Sequence, residues 1–344
     1  MKLAGKVLVL FLFLVFFQTA RADWTKQKSN TLSWLHDVYF LDEQTGWIVG
    51  SGGTYLSTRD GGANWTQNKH FNDDTIRQVY FADAENGWLL CERDSFTLGK
   101  NSPSYLLKTV DGGATWDQVE LVNPQRKRLT KIFFDKYGSG TAIGENGAFF
   151  ALSEDKKTWK QMPSPARFLL FDGLYTDDWN GVVVGAGGAI FYTEDAGLSW
   201  KLASVLGESN ARLNAVFFVN QKNGWTVGAA GKIYQTFNGG KLWREQKSSI
   251  AKDLNSVFFR STAEGWAVGN EGTILHTTTA GNVWRTVDSK ARHNLEKVAF
   301  AGKKGWAVGF GGTILVYDDD KTESVLFSPP KKLKRRNQPS DLRF

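Results

Sequence analysis

The 344-residue chain has one cysteine, two methionines and four histidines. Cys91 has no second cysteine to pair with, so no internal disulfide can form and the fold must be held by packing. The histidines, His36, His70, His276 and His293, fall at no spacing that suits shared metal ligation, and each reads as a surface or packing residue. No helical periodicity runs through the chain beyond residue 22. No glycine cluster opens a helix, so nothing here is a phosphate-cradling loop, and no cofactor is expected.

Long apolar runs are missing as well, with one exception. Val7–Phe17 is unbroken and apolar, follows Lys2 and Lys6, and precedes Ala20-Arg21-Ala22. That order of basic start, short apolar run and small-residue site is a secretory leader. The run is shorter than the roughly 20 residues a spanning helix needs. The alternative is an uncleaved anchor. No cysteine stands at the cleavage point, which argues against a lipid anchor. The expectation is a leader at 1–22 and an exported, soluble chain from Asp23.

The body also lacks net charge. Of the formal +7, the leader contributes Lys2, Lys6 and Arg21, and the tail from Phe327 contributes six basic residues against Asp341, which leaves residues 23–326 at −1. A nucleic-acid-binding body would present a strongly basic face, so that class of partner is set aside.

What the sequence has in abundance is repetition. Short β-type runs end in Phe40, Phe81, Phe134, Tyr175, Phe218, Phe259 and Phe300, in steps of 41 residues broken only by one of 53 and one of 43. About seven residues after each comes Gly-Trp, at 46–47, 87–88, 224–225, 265–266 and 305–306, replaced by Gly140-Thr141 in the third unit and Asn180-Gly181 in the fourth. A third run follows, then a polar turn closed by tryptophan: TRDGGANW at 58–65, TVDGGATW at 109–116, TEDAGLSW at 193–200, TFNGGKLW at 236–243, TTTAGNVW at 277–284. Units of this length, with four short aromatic and β-branched runs between glycine turns, are propeller blades. The closing tryptophans are Trp24, Trp65, Trp116, Trp159, Trp200, Trp243 and Trp284; Trp24 precedes the first unit, and Ser324 stands where the seventh would have its own. The ring therefore closes through its N-terminus, which supplies the outer strand of the last blade and hides an edge. The expectation is an all-β, seven-bladed propeller of four-stranded blades over 23–326, with a basic, disordered tail at 327–344.

The turn is an Asp-box, S/T-x-D-x-G-x-x-W. Its aspartate accepts backbone N–H groups within the turn, and its glycine takes a conformation other residues resist. Aspartate at 60, 111 and 195 becomes Asn238 and Thr279 in later units, drift that suits a structural device and not a catalyst. The Gly-Trp tryptophans are expected between blades.

Taken together, stretches such as TGWIVGSGGTYLSTRDGGANW, NGWTVGAAGKIYQTFNGGKLW and EGWAVGNEGTILHTTTAGNVW resemble the photosystem II assembly and stability factor family over nearly all of 23–326. The resemblance implies an exported seven-bladed propeller, in a periplasm, a thylakoid lumen or the extracellular medium, that is not an enzyme. It implies a scaffold holding a membrane-protein subunit through a face with several arginines. The third unit departs from the pattern, with no Gly-Trp and a shortened box, SEDKKTW.

In a four-stranded meander, the boxes share one face with the first-to-second turns. The second-to-third turns and blade crossings form the other face, where binding residues concentrate. That face gathers Lys69, His70, Arg77, Arg126, Lys127, Arg128, Arg167, Arg212, Lys252, Lys290, Arg292 and His293, together with an insertion of about ten residues within 90–105. Arginine pairs well with carboxylates. Arg77, Arg126, Arg128, Arg167, Arg212 and Arg292 are the expected contacts for an acidic segment of a membrane-protein subunit, bound by a monomer. The competing account is solvated loop charge, given Asp73, Asp74, Glu92 and Glu296 nearby. The tail, SPPKKLKRRNQPSDLRF, could make weak contact with anionic lipid. The alternative function is a secreted glycan-binding or sialidase-like glycan-cleaving propeller. It would need paired carboxylates or an arginine clamp beside a tyrosine; Asp37, Asp172, Asp253 and Glu296 lie near strand starts but in no recognised catalytic pattern.

Overall fold

The computed structural model describes residues 23–319 apart from 69–71, 95–98, 100, 125 and 209. The leader at 1–22, Lys69, His70 and the tail at 327–344 lie outside the described residues. Asp23–Asp318 forms one compact unit, built as seven four-stranded antiparallel blades, the fifth with Ser204–Leu206 added parallel at its outer edge. Blade 1 consists of Leu35–Phe40, Gly46–Gly50, Tyr55–Thr58 and Thr66–Gln67. The first strands of blades 2 to 7 are Thr75–Phe81, Leu129–Phe134, Leu170–Tyr175, Leu213–Phe218, Leu254–Phe259 and Leu295–Ala301. In blade 7 the outer position is taken by Thr25–Gln27, which pairs with Thr313–Asp318. Blades 2 and 3 also join at their outer edges, where Thr158 and Trp159 run parallel to Glu120 and Leu121.

The first strands neighbour one another in a closed ring, laced by side chains that reach into the next blade's backbone. Asp37 accepts the Val79 N–H, and Asp172 that of Val216. Gln78 both donates to the Ile132 carbonyl and accepts its N–H. Thr130, Asn214 and Asn255 donate to the carbonyls of Leu170, Leu254 and Leu295. Inward-facing polar groups are thus satisfied by the ring they help to close.

Between blades the core is aromatic. Trp225, Trp266 and Trp306 lie stacked on Phe259, Phe300 and Phe40 of the following blade, with centroids 3.5, 4.2 and 3.9 Å apart. Box tryptophans meet several of the same phenyl rings edge-on, as Trp284 does Phe259 and Trp65 does Phe40. In blade 3, Thr141 takes the tryptophan's place and its hydroxyl bonds that of Tyr175 at 2.7 Å. In blade 4 the marker is Gly181-Val182, one residue later than the Asn180-Gly181 read from the sequence and in step with the other blades. Gly181, not Asn180, pairs with Tyr175, so Val182 fills the interblade position, and Trp179 is left on the surface, 64% exposed.

The boxes are alike in detail. Thr58 Oγ1 accepts the Gly62 N–H and donates to Asp60, whose carboxylate accepts the Asn64 N–H. Asn238 and Thr279 accept the equivalent N–H groups of Leu242 and Val283. A neutral oxygen fills the role, so the carboxylate's charge is not what the turn requires.

Cys91 is buried and occupies the position that ends the second strand as glycine in the other six blades. Elsewhere that glycine faces the carbonyl of the residue that leads into the first strand, as Gly50 faces Trp34 and Gly228 faces Arg212. In blade 2 the ladder continues one pair further, Thr75 with Glu92, and the insertion begins there.

Candidate functional site

Every first strand carries a β-bulge at the same place, between Leu35 and Asp37 in blade 1 and at the matching residues of the other six. A bulge re-aims side chains. Here it brings two consecutive residues of each strand to one end of the central channel, and the sevenfold repeat turns this into two stacked tiers. The bulge tier reads His36, Arg77, Thr130, Phe171, Asn214, Asn255 and Glu296. The tier beneath reads Asp37, Gln78, Lys131, Asp172, Ala215, Ser256 and Lys297. Above both, residues leading into the strands add Arg128 and Arg212 at the mouth. Together, Ser256 excepted, they line a cavity of about 390 Å³.

Charges converge in that cavity and are held in pairs. Glu92, from the end of blade 2's second strand, accepts Arg77 Nε at 2.7 Å and Arg128 Nε at 3.1 Å. Arg128 also reaches Glu145 at 3.6 Å. Arg212 meets Asp253 at 2.8 Å. Beneath, Lys131 Nζ lies 2.9 Å from Asp172, and Lys297 4.0 Å from Asp37. Burial pushes the Asp37 carboxyl up, against the pull of Lys297 and Lys131. Burial opposes the Lys131 charge too, but Asp172 and Asp37 outweigh it and its pKa rises. Lys297 is lowered, first by the charge of Lys131 and then by burial. Nearly a third of the Lys297 side chain still faces the cavity, so water screens this arrangement in part. His36 is lowered to about 3 by burial and then by Arg77, whose Nη1 is 3.5 Å from its Nδ1. It is neutral at physiological pH.

Of the six arginines that sequence singles out, Arg77, Arg128 and Arg212 line the cavity and Arg126, Arg167 and Arg292 do not. The guanidinium of Arg126 is tied to the Gly99 carbonyl within the insertion, at 2.9 Å. Arg167 and Arg292 are exposed further out. The arginine face is therefore narrower than a scatter of loop charge, and its guanidiniums already hold carboxylates of their own chain. Lys131 and Lys297 are missed by sequence reading. They could have been found by aligning the strands, since each stands three residues before its marker aromatic, the register of Asp37 and Asp172.

The described lining contains no tyrosine, and among the described residues no group of three His, Cys, Asp or Glu side chains could hold a metal ion. A second hollow, of about 750 Å³, lies between blades 1 and 2. Its Asn72 and Asp74 are engaged by the Tyr105 hydroxyl. Among the described residues no helix is long and apolar enough to cross a membrane.

No curated protein matches the chain. Among solved structures, YCF48 bound to D1 peptide superposes with a TM-score of 0.72 at 23% identity, covering 88% of this chain and 96% of that one. YCF48 from Cyanidioschyzon merolae gives 0.71 at 18%, covering 87% and 100%. Virginiamycin B lyase from Staphylococcus aureus, an enzyme, gives 0.70 at 12%, covering 86% and 99%. At these identities the likeness is one of fold. The sequence pattern of the family described as photosynthesis system II assembly factor YCF48 matches residues 17–126 and 205–293. With more than half of its length so matched, the chain belongs to the photosynthesis system II assembly factor YCF48 family.

Proposed function

We propose that the protein is a non-enzymatic assembly factor that binds an acidic segment of a membrane-protein subunit at the channel mouth. The observation that carries this reading is the convergence of Arg77, Arg128 and Arg212 above Lys131 and Lys297 in one cavity. Guanidiniums paired only to carboxylates of their own chain can exchange them for a partner's with little desolvation cost, because Arg77, Arg128 and Arg212 keep 39%, 46% and 45% of their side chains exposed. The D1 peptide held by a family member of the same fold supports a peptide as the ligand class. Glycan cleavage finds less support. Asp37 and Asp172 are committed to lysines and to backbone N–H groups, and the described lining offers no tyrosine beside them.

Export belongs to the same proposal and rests on the leader pattern at 1–22. Contact between the basic tail and anionic lipid belongs to it too.

The test is affinity capture of a detergent extract of the source membranes on the chain from Asp23, beside Arg77→Glu/Arg128→Glu/Arg212→Glu. A defined membrane subunit retained by the parent and lost from the charge-reversed form is the expected result. The same proteins on both, or none, would overturn the arginine mechanism. N-terminal sequencing of the exported protein should begin at Asp23; a retained Met1 would refute cleavage.

A further inference from the structure

The mouth of the channel is not uniformly polar. The residue before Leu35 and its counterparts in the other first strands is Trp34, Thr75, Arg128, Leu169, Arg212, Asp253 or Asn294 in blades 1 to 7. Only blade 1 places an aromatic there. The residue that opens the turn after each second strand is Ser51, Glu145, Ala186, Ala229, Asn270 or Phe310 in blades 1 and 3 to 7. Only blade 7 places an aromatic there. Six other blades do without the first ring, and the five that share the turn do without the second, so neither ring is demanded by the fold. Yet the two meet across the junction of blades 7 and 1, edge to face, with centroids 5.6 Å apart. They remain open to solvent, Trp34 at 38% and Phe310 at 46%, beside Leu32 at 89%.

The pair is held in place. The Trp34 indole N–H donates to Glu296 at 3.1 Å. The turn beginning at Phe310 is anchored by its own N–H on the Asn294 carbonyl and by the Gly312 N–H on the Ser33 carbonyl. On the outer side, the His293 ring lies 5.5 Å from Phe310; on the inner side, the His36 ring lies 5.3 Å from Trp34 and contacts Arg77. Rings thus form a continuous strip, from His293 through Phe310, Trp34 and His36, that leads from the rim down to the arginines. Ordered, exposed aromatics beside arginine have the composition of an energetic centre in a protein interface.

We infer that the strip is the apolar half of the binding site, and that the partner segment carries a bulky apolar side chain next to its acidic residues. The inference rests on the proposed binding of an acidic segment and narrows its sequence. The carboxylates would engage Arg77, Arg128 and Arg212. The apolar side chain would lie over Trp34 and Phe310, removing those rings from water. Specificity among acidic segments then comes from the apolar residue, because charge alone fits many sequences.

The experiment uses the chain from Asp23 to Phe344 and surface-bound dodecapeptides of Asp, Glu, Gly and Ser, with one central position set to Gly, Leu or Phe. The parent is expected to bind the Leu and Phe peptides about tenfold more tightly than the Gly peptide, the scale of one interface anchor. Phe310→Ala and Trp34→Ala, each checked for an unchanged melting temperature, should reduce that preference to about threefold or less while keeping affinity for the Gly peptide. Leu32→Ser, at a side chain already in water, gives an independent variant. Charge-dependent binding with no preference for the Leu and Phe peptides would overturn the inference and leave the proposed function standing. An unchanged preference in all three variants would also overturn it. Failure to bind any acidic peptide would remove both.

Discussion

Trp47 lies flat against Phe81, centroids 3.8 Å apart and planes 7° from parallel, although one ring belongs to blade 1 and the other to blade 2. Each ring is almost completely buried, at 3% and 0% exposure. The contact is the unit from which the ring of blades is assembled, and it recurs with Trp225, Trp266 and Trp306. Trp47→Ala should therefore cost about 3–5 kcal/mol, the usual range for a buried aromatic truncated to a cavity. Val182→Ala, at the matching position of blade 4, removes less volume and should cost clearly less. Urea denaturation of both variants checks the order; equal costs would mean that the stack adds nothing beyond ordinary packing.

The boxes set a response to acid. Asp60, Asp111 and Asp195 are each held at about 2, chiefly by hydrogen bonds from the residue four positions on and from the box threonine. An unfolded aspartate titrates near 3.9. A carboxylate depressed in the folded chain favours folding above that value, and the benefit is lost as pH falls from about 4 to about 2. Replacing all three by asparagine should flatten the decline in urea midpoint over that window and change little at pH 7, since Asn238 already serves in blade 5. A decline as steep as the parent's would rule the boxes out as its source.

His36 acts at higher pH, with the opposite chemistry. It stays neutral in the folded chain to about 3 because of burial and then Arg77, while an unfolded histidine takes its proton near 6.5. Between those values the unfolded chain binds more protons, so acidification from about 6.5 downward lowers stability. His36→Gln should lose part of that slope. Proton NMR of the parent should show one imidazole still neutral at pH 5, and a normal titration of all of them would contradict the placement of His36.

Two glycines hold the mouth arginines in position. A Cβ on Gly228 would sit against the Arg212 carbonyl, and one on Gly144 against that of Arg128. Both glycines are extended, so the obstacle is contact and not backbone strain. Gly228→Ala should displace Arg212 from Asp253 and weaken capture of an acidic ligand severalfold, with a modest loss of stability. Gly187→Ala makes a useful contrast: open space surrounds that site, but its φ of +64° disfavours alanine. It should lose stability while leaving binding intact. A Gly228→Ala protein that binds like the parent would disconnect the glycine from the site.

Much of the fold can be read from the sequence because the same packing problem is solved seven times. Phe40 and its six counterparts mark the strands, and Trp24, isolated before the first blade, points to the strand that closes the ring. The site is harder to read because a bulge is invisible to spacing. Without it, Asp37 and His36 would face opposite sides of the strand, and nothing would place both in one cavity. Lys131 and Lys297 are passed over for the same reason. They stand within runs that read as strand, and only the stacking of tiers brings them beside Asp172 and Asp37. Blade 4 misleads more simply: Trp179-Asn180-Gly181 holds the marker's residues in another order, and the strand follows the glycine.

The closing strand also fixes an order of events. Trp24 is fully buried, and the Thr25 hydroxyl donates to the Val316 carbonyl across a separation of 291 residues. No earlier stretch of chain offers Trp24 this partner, so a chain growing from its N-terminus can complete six blades and still hold its first residues unplaced. Such distant pairing is slow to form. Synthesis must pass Val316 before the ring can lock. Until then, Trp24 and the Thr25–Gln27 strand lack the edge on which they finally pair.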